Sequence, residues 1–166
     1  AGLSVILVEE GRLYHQKDFK MNELDAYASL YQEGMSRVTK DGAIAILQGR
    51  CVGGSTTVNW TSSFRTPAPT LNHWASRFGL DDLKPWFDGR EQRHNIEPWL
   101  ADPNVNNDIL RQGCEALGWS WEVIPRNVKG CWNLGYCGVG CPTNAKQGAL
   151  TTTIPGALDN NARLFH

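Results

Sequence analysis

The stretch AIAILQGRCVGGSTTVNW, residues 43–60, passes from an apolar run into bare glycines, hydroxyls and an asparagine. Residues 43–47 read as a short apolar strand. After it, Gly53, Gly54, Ser55 and Thr56 let backbone come close to a flat or phosphorylated ligand: glycine has no Cβ to block the approach, and N–H groups and hydroxyls can donate. The same residues suit a tight strand-to-helix turn with hydroxyl caps. Spacing alone leaves both readings open.

Upstream, AGLSVILVEEG, residues 1–11, reads as the exit of a helix through Gly2 followed by a buried strand over residues 3–8 that ends in Glu9 and Glu10. A short, wholly apolar strand belongs to a parallel sheet covered on both faces, and parallel strands need crossovers. The numbering is therefore expected to begin inside a βαβ unit, so that the sequence reads as a fragment. Glu9 stands where the acid closing the second strand of a dinucleotide-binding unit accepts hydrogen bonds from a ribose diol, or where a strand simply ends in a solvated acid. The chain holds no G-x-G-x-x-G; Gly135, Gly138 and Gly140 have the wrong spacing. That fingerprint, with the first strand, is expected upstream of Ala1.

Composition narrows the classes. A chain of 166 residues is long enough to hide about two-thirds of its unfolded surface. With 41% hydrophobic and 20% charged residues and a net charge of -1, nothing draws it to nucleic acid or to an anionic membrane. No window approaches the roughly 18 apolar residues of a membrane span, and the start lacks a signal peptide's basic and apolar regions. Both a cytoplasmic and a membrane-associated location stay open. Seventeen Gly and seven Trp point to tight turns, close backbone approaches and flat side chains lining a cavity.

Cys51, Cys114, Cys131, Cys137 and Cys141 are odd in number, so a full disulfide framework is not expected. Cys131, Cys137 and Cys141 are separated by six and four positions, which matches neither zinc knuckles nor a ferredoxin run. Buried thiols or a local disulfide are favoured over a metal site. His15, His73, His94 and His166 lie far from any partner nucleophile and read as surface or helix-end residues.

Apolar spacing predicts an amphipathic helix over residues 21–35. From Thr66 the text changes: a helix capped by Thr70 and ended by Gly79, a second capped by Asp81 or Asp82 with Pro85 in its first turn, and a third from Asp102 with Val105, Ile109, Leu110 and Leu117 on one face. These helices read as an insertion. Residues 119–124 alternate as a strand, and residues 127–148, rich in Gly, Cys and Asn, read as a long ordered loop of the kind that carries function. A helix is expected within residues 150–158 and another strand within residues 162–166.

The run GRCVGGSTTVNW (49–60), with VILVEEG (5–11) before it and SFRTP (63–67) after it, resembles the glucose-methanol-choline family of FAD-dependent oxidoreductases. The resemblance continues through HWASRFGLDDLKPWF (73–87) and YCGVGCPTNAKQG (136–148), the latter most like bacterial alcohol-oxidising dehydrogenases of the family. It implies an α/β fold: an incomplete Rossmann-like FAD-binding domain lacking its first strand and GxGxxG turn, with a mainly helical insertion. The FAD-binding part would cover residues 1–66, the insertion and Cys/Gly-rich loop bordering the substrate side residues 67–149, and a return to the FAD-binding domain residues 150–166.

Carried over residue by residue, the resemblance puts Glu9 on the adenosine ribose. It puts Gly49, Arg50, Val52, Gly53, Gly54 and Ser55 along the pyrophosphate and ribityl chain, and Asn59, Trp60 and Thr61 near the isoalloxazine ring. Some members attach the flavin through a histidine just before the asparagine; Val58 stands there, so dissociable, non-covalent FAD is expected. Trp60 replaces a small residue of several members, and the Thr61, Ser62, Ser63 run is more polar than the family's usual text. The activity implied is hydride transfer from an alcohol to flavin N5, with an electron acceptor that stays unassigned. The proton-abstracting histidine and its partner would lie in a C-terminal part outside these residues, so no catalytic residue is named, and residues 1–166 alone are expected to hold FAD poorly. The competing reading is a non-catalytic interaction module with a Trp-rich surface and a Cys-rich loop.

Overall fold

A computed structural model describes residues 2–166. Its first strand, β1 (Ile6–Val8), lies parallel to β4 (Arg163–Phe165) in the register Ile6 to Arg163 and Val8 to Phe165. Backbone bonds from Glu9 N–H to the Phe165 carbonyl (2.9 Å) and from Arg163 N–H to the Val5 carbonyl (3.0 Å) extend the pair. Both strands were expected from their apolar text, and their parallel pairing is the crossover geometry that such text requires. The expected burial is not seen: Ile6, Leu7 and Val8 are 52%, 41% and 75% exposed. A sheet of two strands leaves its faces open, so apolar sequence here marks surfaces without a covering layer.

α1 (Glu23–Leu30) is capped by the Asn22 side chain, which accepts from Asp25 N–H at 3.2 Å, and Glu23 and Asp25 suit the positive helix start. It stops short of the expected Met35. Tyr31 turns extended, and Glu33, Gly34 and Met35 take positive φ of 53°, 59° and 71°. The tertiary pull on Tyr31 explains the stop: its ring enters the core and its hydroxyl donates to the Gly138 carbonyl at 2.6 Å. Residues 43–47 are likewise not a strand. Only isolated bridges form, Val38 with Ala45 and Tyr31 with Gly49, because a turn stapled by the Asp41 carboxylate to Ala43 N–H (3.1 Å) folds the segment back.

Helices follow the glycine segment, with starts shifted from the expected caps. α2 (Ser55–Val58) follows the glycines; α3 (Ala68–Phe78) begins after Pro67 rather than at Thr70 and ends at left-handed Gly79, φ 64°. α4 (Lys84–His94) begins after Leu83 instead of Asp81 or Asp82, with Pro85 in its first turn. α5 (Val105–Ala116) is capped by Asn104, which accepts from Asn107 N–H at 3.0 Å, and not by Asp102. Residues 119–124 are irregular; the strand is β3 (Pro125–Asn127), antiparallel to β2 (Ile96–Pro98). α6 (Thr153–Leu158) leads back to β4.

The core is not under the sheet. Phe19, Ala26, Leu30, Tyr31, Cys51, Val58 and Val139 form it, with Leu150 packed alongside, so it joins α1, the glycine segment and the cysteine turn. Arg65 fastens the insertion to the segment after the glycines with two 2.6 Å bonds to Glu91 and one to Asp88. His94, at the end of α4, donates through Nδ1 to the Gln147 carbonyl at 2.8 Å.

Candidate functional site at the glycine segment

Close backbone approach brings the end of β1 to the glycine segment. A Cβ on Gly11 would strike the Arg50 carbonyl, and Val52 N–H donates to the Arg12 carbonyl at 3.1 Å. The Glu9 carboxylate accepts from Gly11 N–H at 2.8 Å, and Glu10 stands 3.7 Å from the Arg50 guanidinium at the surface. Two segments forty residues apart therefore meet where only glycine permits it.

Within the segment, Cys51 and Val52 point inward and are fully buried. The chain then turns through Gly53 (φ 98°) and Gly54 (φ 55°), conformations that side chains rarely adopt. The two glycines differ. A Cβ on Gly53 would stand 2.9 Å from Leu150 Cβ, whereas one on Gly54 would project into open space. The Ser55 hydroxyl accepts from Gly49 N–H at 3.1 Å, closing the loop, and the Thr56 hydroxyl accepts from Ala149 N–H at 2.9 Å.

Past α2 the backbone emerges. Asn59 and Trp60 are exposed, the indole by 59%, and then Thr61 dives back, fully buried at φ 67°. Its hydroxyl donates to the Trp60 carbonyl (2.6 Å) and accepts from Arg126 Nε (2.7 Å). Arg126 in turn lies 4.7 Å over the Trp99 ring and donates to Cys137 Sγ at 3.4 Å. Of the nominated residues, Gly49, Arg50, Gly53, Gly54, Ser55, Asn59 and Trp60 offer accessible surface beside Glu9. Val52 and Thr61 do not: their side chains are used by packing and by Arg126.

Sequence reasoning missed the group behind this rim. Lys146 is buried, and its ammonium donates to three carbonyls, Thr57 (2.7 Å), Asn59 (2.8 Å) and Cys137 (2.6 Å). Burial draws its pKa down from 10.5 to about 8. The available signal was a lysine near the end of a Gly- and Cys-rich loop already expected to be ordered. Burial also pushes the Cys51 thiol up to about 11. In native protein Cys51 should resist iodoacetamide while reacting after denaturation, as mass spectrometry would show; rapid native labelling of Cys51 would contradict its burial.

All five cysteines are free thiols, so the local disulfide considered for the loop does not form. Among the described residues no three Cys, His, Asp or Glu side chains converge as metal ligands, and no helix is long and apolar enough to cross a membrane. Two cavities, of about 20 and 30 Å³, have room for a water or two and not for a nucleotide. What the site presents to a larger ligand is an open rim.

The chain is 34% identical to the long-chain-alcohol oxidase FAO4B of Arabidopsis thaliana over 98% of its own length and 22% of that protein's. It is 31% identical to FAO4A of the same plant, over 99% of the chain and 23% of the relative. An uncharacterized GMC-type oxidoreductase of Mycobacterium tuberculosis is 36% identical over 99% of the chain and 28% of the relative. The chain thus spans roughly a fifth to a third of the length of the curated relatives it matches. The family model described as GMC oxidoreductase matches residues 27–166, which include the glycine rim, helices α3 to α5 and the cysteine turn, and the chain belongs to that family.

Proposed function

We propose that the whole protein is an FAD-dependent oxidoreductase acting on the CH–OH group of an alcohol, and that the residues described here form part of its FAD-binding region. The observation that carries this reading is the meeting of Glu9–Gly11 with the glycine segment, beside bare backbone at Gly54 that faces open space.

The residues fit the cofactor. A pyrophosphate favours bare backbone and a nearby guanidinium, supplied by Gly53, Gly54 and Arg50; a ring system favours a flat wall, supplied by the exposed Trp60 indole beside Asn59. Val52 and Thr61 would contribute backbone only. Val58 is buried and has no nucleophile, so this position offers no covalent link and the cofactor is held by non-covalent contacts. Glu9, Arg50, Gly53, Gly54, Asn59 and Trp60 would hold the FAD, which would supply the two-electron chemistry as hydride acceptor through N5. The names of the Arabidopsis relatives make a long-chain alcohol the first substrate to try.

Expression of the full reading frame tests the reading. The folded product should be yellow, and acid precipitation should release the flavin into the supernatant. A colourless folded product would overturn the reading in favour of a non-catalytic interaction module. In the same protein Gly54→Ala should weaken FAD binding about tenfold or more, because the methyl would project into the open space proposed for the cofactor and the positive φ resists a side chain. Unchanged affinity in an equilibrium titration would remove Gly54 from the site.

A further inference from the structure

Lys146 has no role in the reading above, yet its surroundings single it out. It is a buried cation without a carboxylate partner in hydrogen-bond reach, and all three of its donors go to backbone carbonyls. Two of these belong to the stretch that leads to Trp60 and the third to the cysteine turn. Tyr31 makes a second tie from below, donating to the carbonyl of Gly138 with the Val58 carbonyl 3.3 Å away. Arg126 makes a third, joining Thr61 Oγ1 to Cys137 Sγ. Between these ties the Trp60 ring lies on bare backbone: a Cβ on Gly138 would stand 2.7 Å from indole Cζ2.

We propose that Lys146 is a positioning residue for the flavin-facing edge: its ammonium locks residues 57–61 to the Cys137–Gly138 turn so that the exposed Trp60 indole is held against Gly138 at a fixed place. The proposal rests on the FAD reading. Burial of an ammonium is costly unless every donor finds an acceptor, and here the Thr57, Asn59 and Cys137 carbonyls supply them. An indole held near an isoalloxazine ring quenches flavin fluorescence by electron transfer, which makes its placement measurable independently of turnover.

The test uses full-length, FAD-loaded protein and reads flavin emission per bound flavin. Wild type should be strongly quenched. Lys146→Met should be severalfold brighter, and Gly138→Ala, which displaces the ring without touching the lysine, should brighten likewise. Lys146→Met with wild-type emission overturns the proposal while the FAD reading stands; a wild type that binds no flavin overturns both. Where Lys146→Met does not fold, wild type itself decides. A neutral amine has two N–H groups for three carbonyls, so emission should rise as pH passes about 8.

The groups facing the ammonium are the thiols of Cys51, Cys137 and Cys141 and the guanidinium of Arg126. Cys141 needs its own control, because burial raises its pKa while hydrogen bonds from the Thr143 hydroxyl and nearby backbone lower it further, to a net decrease. Cys141→Ser should keep the rise in emission. A flat wild-type profile, or loss of the rise in Cys141→Ser, overturns the proposal.

Discussion

Gly49→Ala should lower the stability of the full-length protein by about 3 kcal/mol, seen as a lower melting temperature and an earlier denaturant midpoint. A Cβ there would stand 2.5 Å from the Gly54 carbonyl oxygen, 2.6 Å from its carbon and 2.8 Å from Ser55 N. All three are backbone atoms, so no flexible side chain can swing away. The loop that Ser55 closes onto Gly49 N–H must open instead, and with it the path to the buried Cys51 and Val52. Gly113→Ala is the matched control. Gly113 lies inside α5 with nothing within 4 Å of a new methyl, so alanine should stabilise by about 0.5–1 kcal/mol through its helix propensity. A Gly49→Ala protein that melts with wild type would mean that the close approach at Gly54 is not present in solution.

Lys146→Met should cost about 2–4 kcal/mol near neutral pH. Three carbonyls lose their donor, the buried one of Thr57 and the part-buried ones of Asn59 and Cys137, each worth up to about 1–3 kcal/mol if left unsatisfied, while relief from burying a charge offsets part of the loss. The pH dependence carries a sign that separates this from simple loss of packing. The folded-state pKa of Lys146, about 8, lies below its ordinary 10.5, so between those values the unfolded chain binds the extra proton and stability rises with pH. Cys51 acts in the opposite direction above pH 9, because its thiol is raised to about 11 and the folded state then binds the extra proton. The difference between wild type and Lys146→Met isolates the lysine: the rise that begins near pH 8 should be absent in the variant. Parallel stability profiles would show that Lys146 is not the buried cation described.

Much of the secondary structure was legible because its signals are local. Gly79 ends α3 in the left-handed conformation that glycine favours, Pro85 sits in the first turn of α4, and two short apolar runs far apart in the chain became the parallel pair β1 and β4. The errors have a common cause. Residues 21–35 have helical spacing throughout, yet the core and the Gly138 carbonyl draw Tyr31 out of the helix. Residues 43–47 are as apolar as a strand but lack a neighbouring strand to complete a ladder. The helix caps moved by one to three positions; at α5 the cap is Asn104, whose side chain accepts from Asn107 N–H.

By itself, then, the sequence determined the glycine segment, its strand-end acid and its blockwise likeness to one family, since these depend on residue types at fixed spacing along the chain. The rest was decided by the tertiary structure. Only there do Thr57 and Asn59 come within reach of Lys146, across 89 and 87 positions, and only there does Arg126 claim Thr61 across 65. Whether a lysine is a solvated surface charge or a buried tie depends on which carbonyls surround it. Carbonyls are the same at every position in the text, so folding alone chooses the three that hold Lys146.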